Sequence, residues 1–256
     1  MTTRAQQIAD WMRERVAAAG SRGIAVGLSG GIDSAVVIAL AAMAAPGRVV
    51  GVIMPCHSDP QDEADGRVAA EHFGIPAIRI DLAPAYDRLI GDLTGSLAML
   101  PADHRPPAPS DPNSTAARLP LANVKPRLRM TSLYFVANSL NYLVAGTGNR
   151  SELTIGYFTK YGDGGVDLLP LGRLVKSDVQ AIARELKVPA PIIDKPPSAG
   201  LWGGQTDEGE MGFTYEDLES HLTQGTSAVS HDVGSRIEQL VRASHHKRAL
   251  PPMPEP

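Results

Sequence analysis

The sequence predicts an α/β protein in which a doubly wound parallel sheet carries helices on both faces. Short apolar stretches alternate along the chain with segments of helical periodicity, and the apolar stretches are continuous instead of alternating with polar residues. Continuous apolar strands are typical of a parallel sheet that is buried on both faces. A glycine-rich loop between the first predicted strand and the next helix supports the same fold class.

The predicted elements follow from periodicity and from the residues that end each segment. Residues 6–19 place Ile8, Trp11, Met12 and Val16 on one helical face, and glycine or proline closes several later segments. Strands are predicted at residues 23–28, 48–54, 77–82 and 141–147. Helices are predicted at residues 6–19, 35–45, 62–73, 84–93, 120–138, 175–186, 215–222 and 233–243.

Two segments depart from this alternation. Residues 95–120 hold six of the 21 prolines and are expected to form an irregular insertion. Residues 194–212 are rich in glycine, proline and acidic residues, and we expect a loop there that closes over a ligand together with residues 56–62. The chain has 256 residues, of which 43% are hydrophobic, and this is enough for one large core, so residues 1–256 are predicted to form a single domain, with two small domains as the alternative.

Composition narrows the class of protein. The net charge of −4 argues against a nucleic-acid partner, because proteins that bind nucleic acid are usually basic. The single cysteine, Cys56, excludes a disulfide within the chain and a cysteine-rich zinc site, and it fits a reducing cytoplasm. The longest apolar stretch, residues 35–46, is too short to cross a bilayer, so no membrane association is expected.

The glycine-rich loop at residues 29–34, Ser-Gly-Gly-Ile-Asp-Ser, is a candidate phosphate site. Glycines let the backbone approach a ligand closely, and free N–H groups at the start of the next helix attract an anion. Asp33 suits such a site when Mg²⁺ bridges the carboxylate and the phosphates. The loop lacks the Gly-Lys-Ser/Thr ending of a Walker A motif and the Gly-x-Gly-x-x-Gly spacing of a dinucleotide-binding fingerprint. An ordinary glycine turn is the alternative interpretation.

A second cluster, residues 146–165, follows the fourth predicted strand. Loops at the carboxyl ends of parallel strands meet at one edge of the sheet, so Glu152 is placed to be a second Mg²⁺ ligand opposite Asp33. Lys160 offers a positive charge beside aromatic residues, and Asp163 lies in a glycine loop where it could orient or deprotonate a nucleophile. A surface carboxylate at Glu152 and a plain loop at 156–165 are the alternatives.

Together these motifs resemble the NAD synthetase family. The loop at 29–34 alone resembles the pyrophosphate loop of the N-type ATP pyrophosphatases, whose fold is Rossmann-like and of the adenine nucleotide alpha hydrolase type. Six segments match the family in its order and span about residues 20–250. These segments are residues 123–130, 146–165, 167–171, 195–202, 205–208 and 246–248.

The resemblance implies an ATP-dependent ligase that amidates deamido-NAD with ammonia. In such enzymes ATP adenylates the nicotinate carboxylate and releases pyrophosphate, and ammonia then displaces AMP to give NAD. The glutamine-dependent relatives carry an added glutaminase domain, for which no segment here is long enough. Free ammonia, or ammonia from a partner protein, is therefore expected. Family members are typically homodimers, which we carry over as an expectation.

The resemblance also assigns roles to individual residues. Asp163 and Lys176 are implied to be catalytic, and Asp33 and Glu152 to hold Mg²⁺. Residues implied for ATP are Gly27, Leu28, Ser29, Gly30, Gly31, Ile32, Asp33, Ser34, Thr147, Lys176 and Ser198. Residues implied for deamido-NAD are Arg127, Lys160, Asp167, His246 and Lys247. At Ser198 many relatives have threonine, and either hydroxyl can donate a hydrogen bond.

Two other functions stay open at this point. The chain could be a different pyrophosphate-loop ligase, such as a GMP-synthetase-like enzyme, or a tRNA-modifying enzyme. It could also be a non-catalytic nucleotide sensor that kept the fold, since fold alone does not prove function. A sensor would be free to lose the metal carboxylates, whereas Asp33 and Glu152 are both present.

Overall fold

Four parallel strands form a sheet in the order β3-β2-β1-β4, which confirms the predicted fold class. The computed structural model describes residues 2–106, 111, 114–197, 200 and 206–254. The strands are β1 (Gly23–Leu28), β2 (Val49–Ile53), β3 (Ala77–Arg79) and β4 (Tyr142–Ala145). The chain moves outward from β1 to β3 and then returns to the other side of β1. The strand order therefore reverses between β1 and β4.

Helices surround this sheet. In chain order they are α1 (Arg4–Ala18), α2 (Ile32–Ala44), α3 (Pro60–His72), α4 (Ala83–Ala98), α5 (Thr115–Ala122), α6 (Val124–Leu140), α7 (Arg150–Ile155), α8 (Lys176–Glu185), α9 (Ala190–Ile193), α10 (Asp207–Met211), α11 (Tyr215–Gln224), α12 (His231–Ala243) and α13 (His245–Arg248). Short 3₁₀ turns lie at Ala102–His104 and Thr226–Ala228. No helix in the described residues is long and apolar enough to span a membrane.

The two faces of the sheet bury different sets of side chains, because successive residues of a strand point in opposite directions. In β1, Ile24 and Val26 join a core formed with α1, α2, α8 and α9, whereas Ala25 joins a second core formed with α6. Helix α2 is apolar on nearly all sides because it lies between the sheet and the outer helices α1 and α8. Its burial fixes the position of the glycine loop that precedes it.

A third apolar cluster lies beyond the sheet. It joins α7 to the C-terminal helices through Ile155, Met211, Phe213, Leu218 and Ile237. The amphipathic helix α12 contributes Ile237, which is fully buried. This cluster holds α7, and therefore the loop that follows β4, against a helical layer at one side of the sheet.

The structure differs from the sequence prediction mainly in short elements and at segment ends. Helices α7 and α10 were not predicted, because five or six residues are too few to show helical periodicity; side-chain caps from Asn149 and Thr206 stabilise them instead. Strands β3 and β4 end at Arg79 and Ala145, earlier than predicted.

The predicted irregular insertion at 95–120 is partly helical. Helix α4 continues to Ala98, and α5 begins at Thr115 and contains Pro120, which was predicted to begin the next helix. Proline removes one backbone donor, and the chain then breaks at Asn123 before α6 starts. Residues 107–110 and 112–113 of this insertion lie outside the described residues, as do 198–199 and 201–205 of the predicted loop at 194–212.

One layer of helices leaves a large apolar surface in contact with solvent. No residue of α4 is buried, although Leu89, Leu93 and Leu97 recur at helical spacing on it. On α6, Phe135 is 74% exposed. Leu119 and Leu121 of α5 and Leu140 of α6 are also exposed. We call these residues of α4, α5 and α6 the α4–α6 surface; isolated apolar residues on a surface are common, but a set of this size is not.

Cys56 allows a test of the second core at high pH. The thiol is fully buried, and burial raises its pKa although Arg129 and Lys125 lie nearby. An unfolded thiol ionises near pH ~8.5. The stabilising contribution of the neutral thiol is therefore complete below that pH and is lost as the pH rises toward the higher folded pKa.

We expect the stability advantage of the wild type over Cys56→Ala to shrink above pH ~8.5, by less than about 1.4 kcal/mol per pH unit. Urea unfolding of both proteins at several pH values between 7 and 10 measures this difference. Titrating groups that are far from Cys56 cancel in the comparison, whereas Lys125 and Tyr86, which the thiolate charge influences, form part of the measured difference. Parallel pH profiles for the two proteins would contradict the prediction.

Candidate active site

A cavity of about 730 Å³ opens at the carboxyl edge of the sheet. Its walls include Ser29 and Asp33 after β1, Ser58 after β2, and Gly146 and Thr147 after β4. The cavity therefore spans the point between β1 and β4 where the strand order reverses. Ligands of open parallel sheets bind in such crevices.

The predicted phosphate loop forms one wall of this cavity. Gly30 has φ +76°, and a Cβ at this position would lie 2.3 Å from the backbone oxygen of Asp62, so only glycine fits. The Ser34 hydroxyl donates to the Gly31 carbonyl at 2.8 Å and fixes the turn. No side chain of the described residues caps the start of α2 at Gly31. Gly31, Ile32 and Asp33 at the start of this helix line the cavity, where the sequence predicts an anion site.

The Asp33 carboxylate is held between two donors from distant parts of the chain. Asn149 donates from Nδ2 to Oδ1 at 3.1 Å, and Lys176 donates from Nζ to Oδ2 at 2.5 Å. The Lys176 side chain is 6% exposed and lies over the ring of Tyr215, with Nζ 5.3 Å from the ring centroid. The predicted residues Asp33 and Lys176 are thus direct neighbours in the cavity wall.

Asn149 also positions the second predicted metal ligand. It is fully buried, and it accepts a hydrogen bond from the Glu152 backbone N–H at 3.1 Å. The Glu152 carboxylate in turn accepts from the Asn149 backbone N–H at 3.2 Å, which completes a capping box at the start of α7. One amide side chain therefore contacts Asp33 and fixes Glu152. The sequence analysis assigned it no role, although its place three residues before a glutamate indicates a capping box.

These neighbours share one electrostatic environment. Burial and the nearby charge of Asp33 raise the pKa of Glu152 to about 8, against the opposing effect of Lys176. Burial alone would lower the pKa of Lys176, but the carboxylates of Asp33 and Glu152 raise it overall. Two carboxylates thus face the cavity beside a single ammonium group, which is a suitable arrangement for a further cation. Within the described residues, no three His, Cys, Asp or Glu side chains form a metal-binding cluster.

Asp163 lies on another wall of the same cavity. Its Oδ1 accepts a hydrogen bond from the Thr159 backbone N–H at 2.9 Å, and the side chain stays in contact with solvent through the cavity. Protein atoms around the carboxyl raise its pKa, while this hydrogen bond and the charges of Lys247 and Arg129 act in the opposite direction. Asp163 is therefore a carboxylate in a partly desolvated place, as expected of a group that receives a proton.

Three of the residues predicted to bind deamido-NAD lie together outside the main cavity. Arg127 is exposed and donates to the Lys160 carbonyl at 3.5 Å, and Lys160 donates to the His246 carbonyl at 2.5 Å. Lys160 and Lys247 also line a second cavity of about 250 Å³, together with Arg248. Lys247 borders both cavities, and its ammonium group donates to two carbonyls, of Gly156 and Phe158, each at 2.7 Å.

The remaining predicted residues lie in different places. Gly27, Leu28, Ile32 and Thr147 line the main cavity. Asp167 is away from it: its carboxylate accepts from the Tyr134 hydroxyl at 2.9 Å and from the Val144 backbone N–H at 2.8 Å, contacts that extend the sheet edge beside β4. Ser198 lies outside the described residues.

The structure also brings charged residues to the cavity that sequence reasoning left without a role. Lys195 forms ion pairs with Asp62 at 2.8 Å and with Asp65 at 2.6 Å, and so joins the two segments predicted to close over the ligand. Asp207 is buried and accepts from the Tyr215 hydroxyl at 2.9 Å. Charged residues inside glycine- and proline-rich loops are a sequence signal for such functional residues. The sequence does not show which residues they pair with.

Comparison with known proteins identifies the family. The NAD synthase family model matches residues 4–251. The NH(3)-dependent NAD(+) synthetase of Carboxydothermus hydrogenoformans is 48% identical over 249 residues, which are 97% of this chain and 96% of the relative.

Two solved structures extend this result to the fold. An NMN synthetase from Francisella tularensis has a TM-score of 0.85 and 36% identity, covering 98% of this chain and 97% of that one. An NH3-dependent NAD synthetase from Campylobacter jejuni has a TM-score of 0.76 and 26% identity, covering 98% of each chain. With such similarity over nearly its whole length, the chain belongs to the NAD synthase family and is an enzyme of the ligase class.

Proposed function

We propose that the protein amidates the nicotinate carboxylate of deamido-NAD with free ammonia, using ATP and releasing NAD, AMP and pyrophosphate. One observation carries the proposal. The glycine loop at the start of α2 lines the same cavity as Asp33, Glu152 and Lys176, and Asp163 of the loop 156–165 lines that cavity as well. A site for phosphates and a site for proton removal therefore share one space.

The two part-buried carboxylates fit Mg²⁺, which usually binds through one or two carboxylates plus the phosphates of a substrate. Asp33 and Glu152 would hold it, and the burial and the neighbouring Asp33 charge that raise the pKa of Glu152 would be offset by a bound cation. When bound, Mg²⁺ would neutralise charge on the phosphate oxygens of ATP. Lys176 would then share the phosphates with the ion, because its ammonium group already lies against Asp33.

In the first step the nicotinate carboxylate attacks the α-phosphorus of ATP. A bond forms between the carboxylate oxygen and phosphorus, and the bond from phosphorus to the bridging oxygen breaks, so pyrophosphate leaves with that electron pair. The N–H groups at the start of α2, together with Ser29 and Thr147, would bind the phosphates in line for this displacement. Lys176 would stabilise the negative charge that builds up on the phosphate oxygens.

In the second step ammonia attacks the carbonyl carbon of the acyl-adenylate. The new C–N bond forms, the nitrogen loses a proton, and the C–O bond breaks so that AMP leaves. We assign proton removal to Asp163, whose raised pKa makes it a better base than an ordinary aspartate. Ammonia is mostly ammonium at neutral pH, so a carboxylate also attracts the cation to the site.

The outer cluster of Arg127, Lys160 and His246 supports a dinucleotide acceptor. Lys160 of this cluster lines the second cavity together with Lys247 and Arg248, and a pyrophosphate bridge would find positive partners there. Asp167 and Lys247 hydrogen-bond to backbone groups. The proposal also includes their contacts with deamido-NAD, which the family resemblance implies.

A second acceptor is favoured by the comparison with the Francisella tularensis NMN synthetase. The same chemistry applied to nicotinate mononucleotide would give NMN. This substrate has a single nucleotide, so the protein would need no binding site for an adenylate half. Both acceptors carry the same reacting carboxylate. A GMP-synthetase-like ligase and a nucleotide sensor have less support, since the full set of Asp33, Glu152, Asp163 and Lys176 is present in one cavity.

We also propose that the protein is a homodimer that acts in the cytoplasm. The α4–α6 surface exposes leucines and Phe135, and a second copy would remove this apolar area from water. The cytoplasmic assignment depends on the single buried cysteine, which needs no oxidising compartment.

The proposed reaction is tested by incubating the protein with ATP, Mg²⁺ and either acceptor, with ammonium or glutamine as nitrogen source. We expect amide product with ammonium only, and one AMP for each amide formed. The ratio of kcat/KM for deamido-NAD to that for nicotinate mononucleotide decides between the acceptors. Asp163→Asn is expected to lower turnover with ammonium by about 10²-fold or more. No nucleotide turnover with either acceptor would refute the proposed function.

The bridging role of Asn149 predicts that Asn149→Ala weakens metal binding. Groups that orient metal ligands typically contribute about 10- to 100-fold to metal affinity. We expect such a loss for Mn²⁺, measured by electron paramagnetic resonance in the presence of a non-hydrolysable ATP analogue. The exposed Asn138→Ala is the matched control. Equal Mn²⁺ affinity of the wild type and a folded Asn149→Ala protein would contradict this role.

If the protein is a homodimer, light scattering coupled to gel filtration is expected to give a molecular mass near twice the 27.1 kDa of one chain. We expect Phe135→Asp with Leu93→Asp to give a soluble monomer, because a charge at an apolar interface is costly to bury. Leu250→Asp, which changes an exposed leucine elsewhere, is the control. A monomeric wild type at micromolar concentration would rule the dimer out.

A further inference from the structure

We infer that Arg129 binds an oxyanion of the substrates, either the nicotinate carboxylate or a phosphate group, inside the main cavity. This inference deepens the proposed function and rests on it for the identity of the substrates. Of the two arginines in residues 123–130, the family resemblance implies a role in substrate binding only for Arg127, yet the two arginines lie on very different surfaces. Arg127 is exposed outside the main cavity, whereas Arg129 lines it.

Helix α6 directs the Arg129 side chain toward the carboxyl end of β2. Its Nε donates to the Met54 carbonyl at 3.1 Å, and its Nη2 donates to the Ser58 hydroxyl at 3.0 Å. Two contacts on one side of the guanidinium fix the plane of the group. A guanidinium has five N–H donors, so further donors stay available on the side that borders the cavity.

Within the described residues, the charge of Arg129 has no carboxylate at ion-pair distance. Asp163 and Asp62 act on it only through space, and each has a closer partner: Asp62 is paired with Lys195, and Asp163 accepts from Thr159. Lys125, on the same helix, adds a second buried positive charge nearby.

Removal from water is the largest influence on the pKa of Arg129 and lowers it, so the charged form gives up favourable hydration at this place. A cation in this position costs free energy unless an anion compensates for it. The planar fork of arginine matches the two oxygens of a carboxylate or a phosphate. A cavity that already carries a phosphate loop on one wall thus offers a second anion contact on another wall, near Asp163.

The test compares Arg129→Met and Arg129→Lys with Arg184→Met, an exposed arginine of α8, as the matched control. Calorimetry would measure binding of inorganic pyrophosphate, of deamido-NAD and of nicotinate mononucleotide to each folded protein. A hydrogen bond to a charged group contributes about 1.5–3 kcal/mol. Arg129→Met should therefore lower the affinity for the ligand that Arg129 contacts by about 10- to 100-fold. Arg129→Lys should recover only part of this loss, because lysine lacks the fork.

The ligand arms identify which substrate carries the oxyanion. Loss confined to pyrophosphate assigns Arg129 to the phosphates of ATP, and loss confined to the two nicotinate ligands assigns it to the acceptor, which carries both a carboxylate and phosphate. Ser58→Ala keeps the charge but removes one anchor, and we expect it to change these affinities by less than about threefold. The inference is wrong if folded Arg129→Met binds all three ligands within twofold of the wild type. If the wild type forms no amide but Arg129→Met still loses pyrophosphate binding, the proposed function fails while the anion contact stands.

Discussion

The contact between Asp33 and its two donors organises the candidate active site. Asn149 comes from the loop after β4 and Lys176 from the start of α8, and both reach the same carboxylate at the start of α2. Three elements are therefore tied together at one carboxyl group. The pairing also satisfies a charge that would otherwise be costly to hold in a partly buried wall. Any ligand that approaches the glycine loop meets this preformed arrangement.

The sheet makes this contact possible. Because β4 pairs with β1 on the side opposite β2, the loops after β1 and β4 emerge next to each other, although the strands are far apart in the chain. Helix α2, buried on nearly all sides, then holds the glycine loop in place. The third apolar cluster fixes α7 and its capping box from the other direction. Packing in these two cores thus sets the separation of Asp33 and Glu152.

Charge is distributed unevenly around the cavity. Asp33, Glu152 and Asp207 influence one another on the side of Lys176, whereas Arg129 lines the cavity beside the carboxyl end of β2, with Lys125 nearby. A cation and an oxyanion would each find an environment of opposite sign within one space. This separation of charge suits a reaction that joins a nucleoside triphosphate to a carboxylate, since the two substrates repel each other in water. The ion pairs of Lys195 with Asp62 and Asp65 close one side of the same space.

Local signals in the sequence determined the fold class and most of the helices and strands. Continuous apolar strands and a glycine-rich loop ahead of a helical segment are properties of neighbouring residues, and they predict the phosphate loop with Asp33 and Glu152 nearby. Tertiary structure decided which side chains meet: Asp33 lies 116 residues from Asn149 and 143 from Lys176. Tertiary structure also placed Arg129 in the main cavity and Arg127 outside it, and it placed the Asp167 carboxylate beside β4 at the edge of the sheet. Such outcomes depend on packing between distant elements, because a residue's type specifies its chemistry but not its partners.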